Sequence, residues 1–210
     1  MHRPSCLIAV LSLTACGSQA DTNYPGESQM RIAGTVINEL AFSPDAEVVI
    51  FWDAEIPDSE GHDQVVWATQ RIEVGSTFPS NFVLDLYEPP PRVVFAADPT
   101  REIQWANGTI WAVTPGTTAD EIANDVGILG VGGDYIVSYL SQDIPPEYAA
   151  EIEAEFGFST AGYHLRGVVP NDPNEDPYYG HSDKLVPAND DSEITVRIAP
   201  PEDLHIPSWE

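Results

Sequence analysis

Short runs of alternating side chains, cut by Pro and Gly, constrain this chain more than any other feature. Ile32, Gly34 and Val36 alternate with polar or small partners, and Phe82, Leu84 and Leu86 form a period-2 set with Asp85 on the other face. Val48, Ile50 and Trp52 share one face of a run whose other face carries Val49 and Phe51, so that segment is expected to be buried on both sides. Further strand patterns lie at Val65 to Val74, Arg92 to Ala97, Thr109 to Val113, Asp134 to Leu140, Tyr163 to Val168 and Ile194 to Ile198. Pro89-Pro90-Pro91 and Pro200-Pro201 act as stops. About nine short strands with turns between them predict a mainly β fold, an antiparallel β-sandwich. No internal repeat is visible, which argues against a solenoid or propeller.

Two helices interrupt the pattern. Thr118-Ala119-Asp120-Glu121 has the spacing of a capping box, with Ile122 and Val126 four apart and Gly127 as the stop. Pro145-Pro146 opens a second helix that runs to about Phe156 and stops at Gly157, with Tyr148, Ile152 and Phe156 in one apolar row. Glu147, Glu151 and Glu155 form a second row with no basic residue nearby in sequence, so they are expected to repel one another.

The N-terminus speaks to location. Behind Arg3 runs CLIAVLSLTA, Cys6 to Ala15, too short to cross a bilayer, which takes about 20 apolar residues. A short apolar run behind a basic start reads as a secretory signal. It ends in Leu13-Thr14-Ala15-Cys16, followed by Gly17-Ser18. This motif resembles the lipobox of bacterial lipoproteins. The resemblance implies removal of residues 1–15, lipid attachment at the Cys16 thiol and an anchor in the cell envelope. Gly17, rather than Asp, implies the outer membrane by the same family's sorting rule. Cys6 would leave with the signal, so the remaining chain would fold without a disulfide. Residues 16–29 then read as the lipidated cysteine and a polar tether reaching about 45 Å at most, and residues 30–210 as one domain. The first half of that domain is also similar to the prealbumin-like or immunoglobulin-like sandwiches of envelope lipoproteins. That similarity rests on Ile32-x-Gly34-x-Val36, Val48-x-Ile50 and Phe82-x-Leu84-x-Leu86, and it carries no functional residue.

Eight Lys and Arg stand against 34 Asp and Glu, a formal charge of -26. Nucleic acid is excluded as a general partner, because no basic stripe exists to displace phosphate counterions. Contact with the membrane is expected through the N-terminal lipid rather than through surface charge. Nucleophilic chemistry has little support: Gly180-His181-Ser182-Asp183-Lys184 lacks the last Gly of a nucleophile elbow. His62, His164, His181 and His205 show no metal-ligand spacing. Gly127, Gly130, Gly132 and Gly133 lie between a helix and a strand, the reverse of a phosphate loop, and read as a helix stop and tight turn. Asn107-Gly108-Thr109 matches a glycosylation sequon and reads as a turn.

Two acidic stretches remain, Asp53 to Asp63 and Asn171 to Asp191. Both read as loops. Clustered carboxylates suit Ca²⁺, the one cofactor these loops suggest, although neither matches an EF-hand. They equally suit a solvated, salt-adapted surface. Trp105, in a stretch read as irregular, is the best candidate for a sugar-stacking platform, with Tyr178-Tyr179 second. The expectation is an envelope lipoprotein with a non-enzymatic binding or structural role toward an envelope protein or a glycan. It has no catalytic or metal-ligand residues, and Cys16 is its one assigned site. The alternative is a secreted hydrolase that cuts glycan or peptide through paired carboxylates.

Overall fold

A computed structural model describes residues 27–57, 62–169, 184–188 and 192–204. The described residues are mainly β with two short helices, and ten strands join in one mixed sheet. In chain order they are β1 (Met30–Asn38), β2 (Ala46–Pro57), β3 (His62–Gly75), β4 (Ser80–Leu86), β5 (Ala96–Asp98), β6 (Ile103–Val113), β7 (Ile128–Leu140), β8 (Gly162–Val169), β9 (Lys184–Pro187) and β10 (Ile194–Ile198). The spatial order is β3-β2-β6-β7-β10-β1-β4. Off that path, β5 adds to β6, β8 pairs β7, and β9 pairs β8. Among the described residues all pairings are antiparallel except β1 with β10.

The two halves of this sheet face each other across one core. Ile32 and Val36 of β1, Leu84 and Leu86 of β4, and Val196 of β10 pack with Val48, Ile50 and Trp52 of β2 and Ile110 of β6. The end strands β3 and β4 approach, and Ser80 Oγ donates to the Val74 carbonyl at 3.2 Å, but no strand ladder joins them. The period-2 faces of β1, β2 and β4 explain this core directly. The second face of β2 is buried as well: Val49 and Phe51 pack against Trp111, Val113 and Ile122. Ile122 comes from α1 (Ala119–Ala123), whose capping box forms as expected. Thr118 Oγ1 accepts from the Glu121 N–H, and the Glu121 carboxylate accepts from the Thr118 N–H.

Helix α2 (Pro146–Phe156) covers the outer face further along, where Tyr148, Ile152 and Phe158 pack with Ile103 and Leu140. Phe158 joins this cluster, and the Phe156 side chain lies outside the described residues. Glu151 does have a basic partner. Arg101, from the turn before β6, donates to it at 2.6 Å across fifty positions of sequence, which corrects the expectation of an unanswered row.

Other expectations also change. Residues 103–108 are strand, so Trp105 and Asn107 lie inside β6 rather than in an irregular stretch and a turn. Strand β7 begins at Ile128, so Gly130, Gly132 and Gly133 are strand residues and not a turn. Gly130 is needed there because a Cβ would collide with the Arg197 carbonyl of β10. Arg92–Val94 is a 3-10 turn, and the strand that follows it is only Ala96–Asp98. The acidic stretch Asp53 to Asp63 is mostly the end of β2 and the start of β3. The longer one, Asn171 to Asp191, contains β9, an element that alternation alone did not reveal.

Candidate functional site

Strand β7 is a branch point. Its first half, at Gly130 and Val131, pairs with β10, and its second half, Tyr135 to Leu140, pairs with β8. The sheet therefore forks into an arm β10-β1-β4 and an arm β8-β9. Among the described residues, β10 covers β1 only from Gly34 onward. On the other arm β9 pairs with β8 from Arg166 onward, and the next residue adds one bond, Ala188 N–H to the Leu165 carbonyl. Between the uncovered ends, Met30 to Ala33 and Tyr163 to Leu165, lies a cleft of about 510 Å³.

The chain beyond α2 builds one wall. Gly157 ends the helix with φ 80°, and its N–H bonds the Glu153 carbonyl. A Cβ there would stand 3.0 Å from Pro187 Cδ, so conformation and space both call for glycine. The turn drops Phe158 onto β8, where its ring stacks on His164 with centroids 4.2 Å apart and an 8° angle. The Arg166 guanidinium carbon sits 5.3 Å from the centre of the same ring.

Arg166 is the largest buried charge in the described fold, with 1% of its surface exposed. Its Nη2 donates to Asn107 Oδ1 at 3.0 Å, and Ser138 Oγ donates to the same oxygen at 2.8 Å. A guanidinium can only donate, so the Asn107 atom facing it must be the oxygen. Burial lowers the Arg166 pKa to about 10, which still leaves it cationic at neutral pH. His164 Nε2 lies 2.7 Å from the Thr160 carbonyl, so Nε2 carries the proton. Burial lowers the His164 pKa, the Thr160 bond opposes that, and the Arg166 charge lowers it further. The imidazole is thus neutral at pH 7, with Nδ1 as an acceptor. Behind it Tyr163, whose hydroxyl donates to the Glu88 carbonyl at 2.6 Å, is pushed well above the usual phenol range, chiefly by burial.

Arg31 stands on the opposite wall, its side chain 66% exposed. It meets Asp85 of β4 side-on, Nε to Oδ1 at 2.7 Å and Nη2 to Oδ2 at 3.1 Å. The Arg31 bond holds Asp85 below the usual carboxylate range. Glu121 is also held low, by the Thr118 backbone and then its hydroxyl.

The residues singled out from sequence are mostly elsewhere. Trp105 is half-buried against the α2 cluster and does not form an exposed platform. Asn107, read as a turn, instead anchors Arg166. Of the four histidines named above, His164 is the one whose side chain is described, and it lines the cleft. Cys16, His181, His205, Ser182 and Tyr178-Tyr179 lie outside the described residues, as do 170–183 and 189–191 of the longer acidic stretch. Among the described residues no three His, Cys, Asp or Glu side chains gather where they could hold a metal ion. Sequence reasoning missed Arg31, Phe158 and Arg166. One signal was present: Arg166 is a basic residue in the strand run Tyr163 to Val168 of a chain with only eight. No family model matches the chain, and no curated protein matches it.

Proposed function

We propose that this chain is a lipid-anchored protein of the bacterial cell envelope, held at the outer membrane, with a folded part that binds rather than catalyses. The observation that carries the anchor is Leu13-Thr14-Ala15-Cys16 at the end of the apolar run that starts at Cys6. Acylated Cys16 holds the chain on the bilayer, residues 17–29 give it reach, and the sheet beginning at Met30 presents the cleft. More than one acyl chain makes such an anchor stable, since a single chain binds only marginally.

Binding leads over hydrolysis on one observation. Paired-carboxylate hydrolysis of glycans needs an acid whose pKa is raised. Among the described residues, Asp85 and Glu121 are held low, by Arg31 and by Thr118. Calcium binding by the acidic stretches is a separate proposal, and most of its ligands would come from residues outside those described.

The anchor is tested by Cys16→Ala in cells. The wild type is expected in the membrane fraction with added lipid mass, and the variant in the soluble fraction without it. An unchanged membrane fraction with unchanged lipid mass would overturn the reading.

A further inference from the structure

The cleft's charge is at odds with the chain that carries it. Acids outnumber bases 34 to 8, yet the described residues that line the cleft include Arg31, Arg166 and His164 and no Asp or Glu. The remaining wall is largely apolar, with Met30 and Ile32 on the β1 side and Phe158, Leu165 and Pro187 on the other. Small-molecule sites combine an apolar lining with a few placed polar groups, at volumes of roughly 300–1,000 Å³. A cleft of about 510 Å³ falls in that range.

We propose that this cleft binds a small amphipathic carboxylate, the anion taken by Arg31 and the apolar body lying along Met30, Phe158 and Leu165. The proposal rests on the binding role given above and names its ligand class. Arg31 is suited to the task because Asp85 engages only its Nε and Nη2. Nη1 has no partner among the described residues, and the side chain is mostly in solvent. Arg166 contributes from the back of the cleft as a fixed positive charge, held by Asn107 and Phe158. Neutral His164 adds no repulsive or attractive charge and widens the aromatic wall. A carboxylate is favoured over a phosphate because Asp85 already takes Nε and Nη2 of Arg31, and the donors left on Nη1 are too few for a dianion. The field of the whole chain repels anions, so any preference for one must arise locally.

The test uses the full acylated chain in non-ionic detergent, with empty micelles as the blank. Three probes share one apolar body: 4-phenylbutyrate, 4-phenylbutan-1-ol and 4-phenylbutylamine. Ligand-observed NMR titration reads their affinities. The expected result is saturable binding of the butyrate, at least about tenfold tighter than the amine, a difference of about 1.4 kcal/mol. Arg31→Gln should erase that ratio, Arg31→Lys should keep part of it, and Asp85→Asn should tighten the butyrate by removing the competing carboxylate. Equal binding of all three probes would overturn the anion assignment and leave a binding cleft standing. Tighter binding of the amine would overturn it too, as would wild-type butyrate affinity in Arg31→Gln. No saturable binding of any probe would overturn both the ligand class and the cleft as a binding site. The anchor is judged separately by Cys16→Ala.

Discussion

Two buried regions of this molecule are built on opposite principles. Inside the curved sheet, Val48, Ile50, Trp52, Leu84 and Val196 fill the core with apolar surface at every second position. On the outer face of β8, the buried side chain is Arg166, held by an amide oxygen and an aromatic ring. The first region is stabilised by the amount of apolar area it removes from water. In the second, desolvating a cation costs energy that hydrogen bonds and stacking must offset. Burial alone therefore does not mark a core. The same degree of exposure goes with a stabilising group in one place and a positioned charge in the other.

The largest test of this contrast is Trp52→Ala. Trp52 is 1% exposed, and its Nε1 donates to Thr69 Oγ1. Its loss should cost about 3–5 kcal/mol in chemical denaturation. Arg166→Met should cost less, about 1–2 kcal/mol, because an apolar chain avoids the desolvation penalty while Asn107 keeps Ser138. A larger loss than that of Trp52→Ala would break the comparison, since Arg166 would then be a principal source of stability.

His164 sharpens it through pH. The folded state holds His164 at a lowered pKa, so below its unfolded value of about 6.5 the unfolded chain binds more protons. Stability should be full above that pH and decline as pH falls through the folded value. His164→Phe, which keeps a ring on Phe158, should show a flatter acid limb in melts between pH 7 and 5. An identical limb would mean that the other histidines carry the effect.

The smallest effect is at Glu151, which is 58% exposed and paired with Arg101. Glu151→Lys sets two cations together and should lower stability by up to about 1 kcal/mol at low salt. A rise in melting temperature would show that repulsion from the neighbouring acids on α2 outweighs the Arg101 pair.

How much could be read from sequence follows the same division. Strands β1, β2, β4 and β10 were legible because each repeats an apolar residue at period two, and both helices because Thr118 and Pro145 mark their starts and Gly157 the end of α2; α1 itself stops at Ala123, short of Gly127, and leaves Val126 exposed. Strand β9 was not, because Lys184–Pro187 is four residues inside an acidic stretch. The start of β6 was hidden by Gln104 and Asn107, whose polar side chains break the pattern, and one of them is polar because it receives Arg166. The cleft had no local signature. Its walls are set by where β10 and β9 begin to pair, and register is a property of two distant segments at once.

The place of β1 in the sheet also decides how the molecule carries load. β1 lies between β4, which runs against it, and β10, which runs with it. A pull on the chain ahead of Met30 along the strand axis would reach both ladders lengthwise, and their hydrogen bonds would be sheared together instead of being unzipped one at a time. A domain suspended by that end would meet drag or a tugging partner with a strand held on both sides.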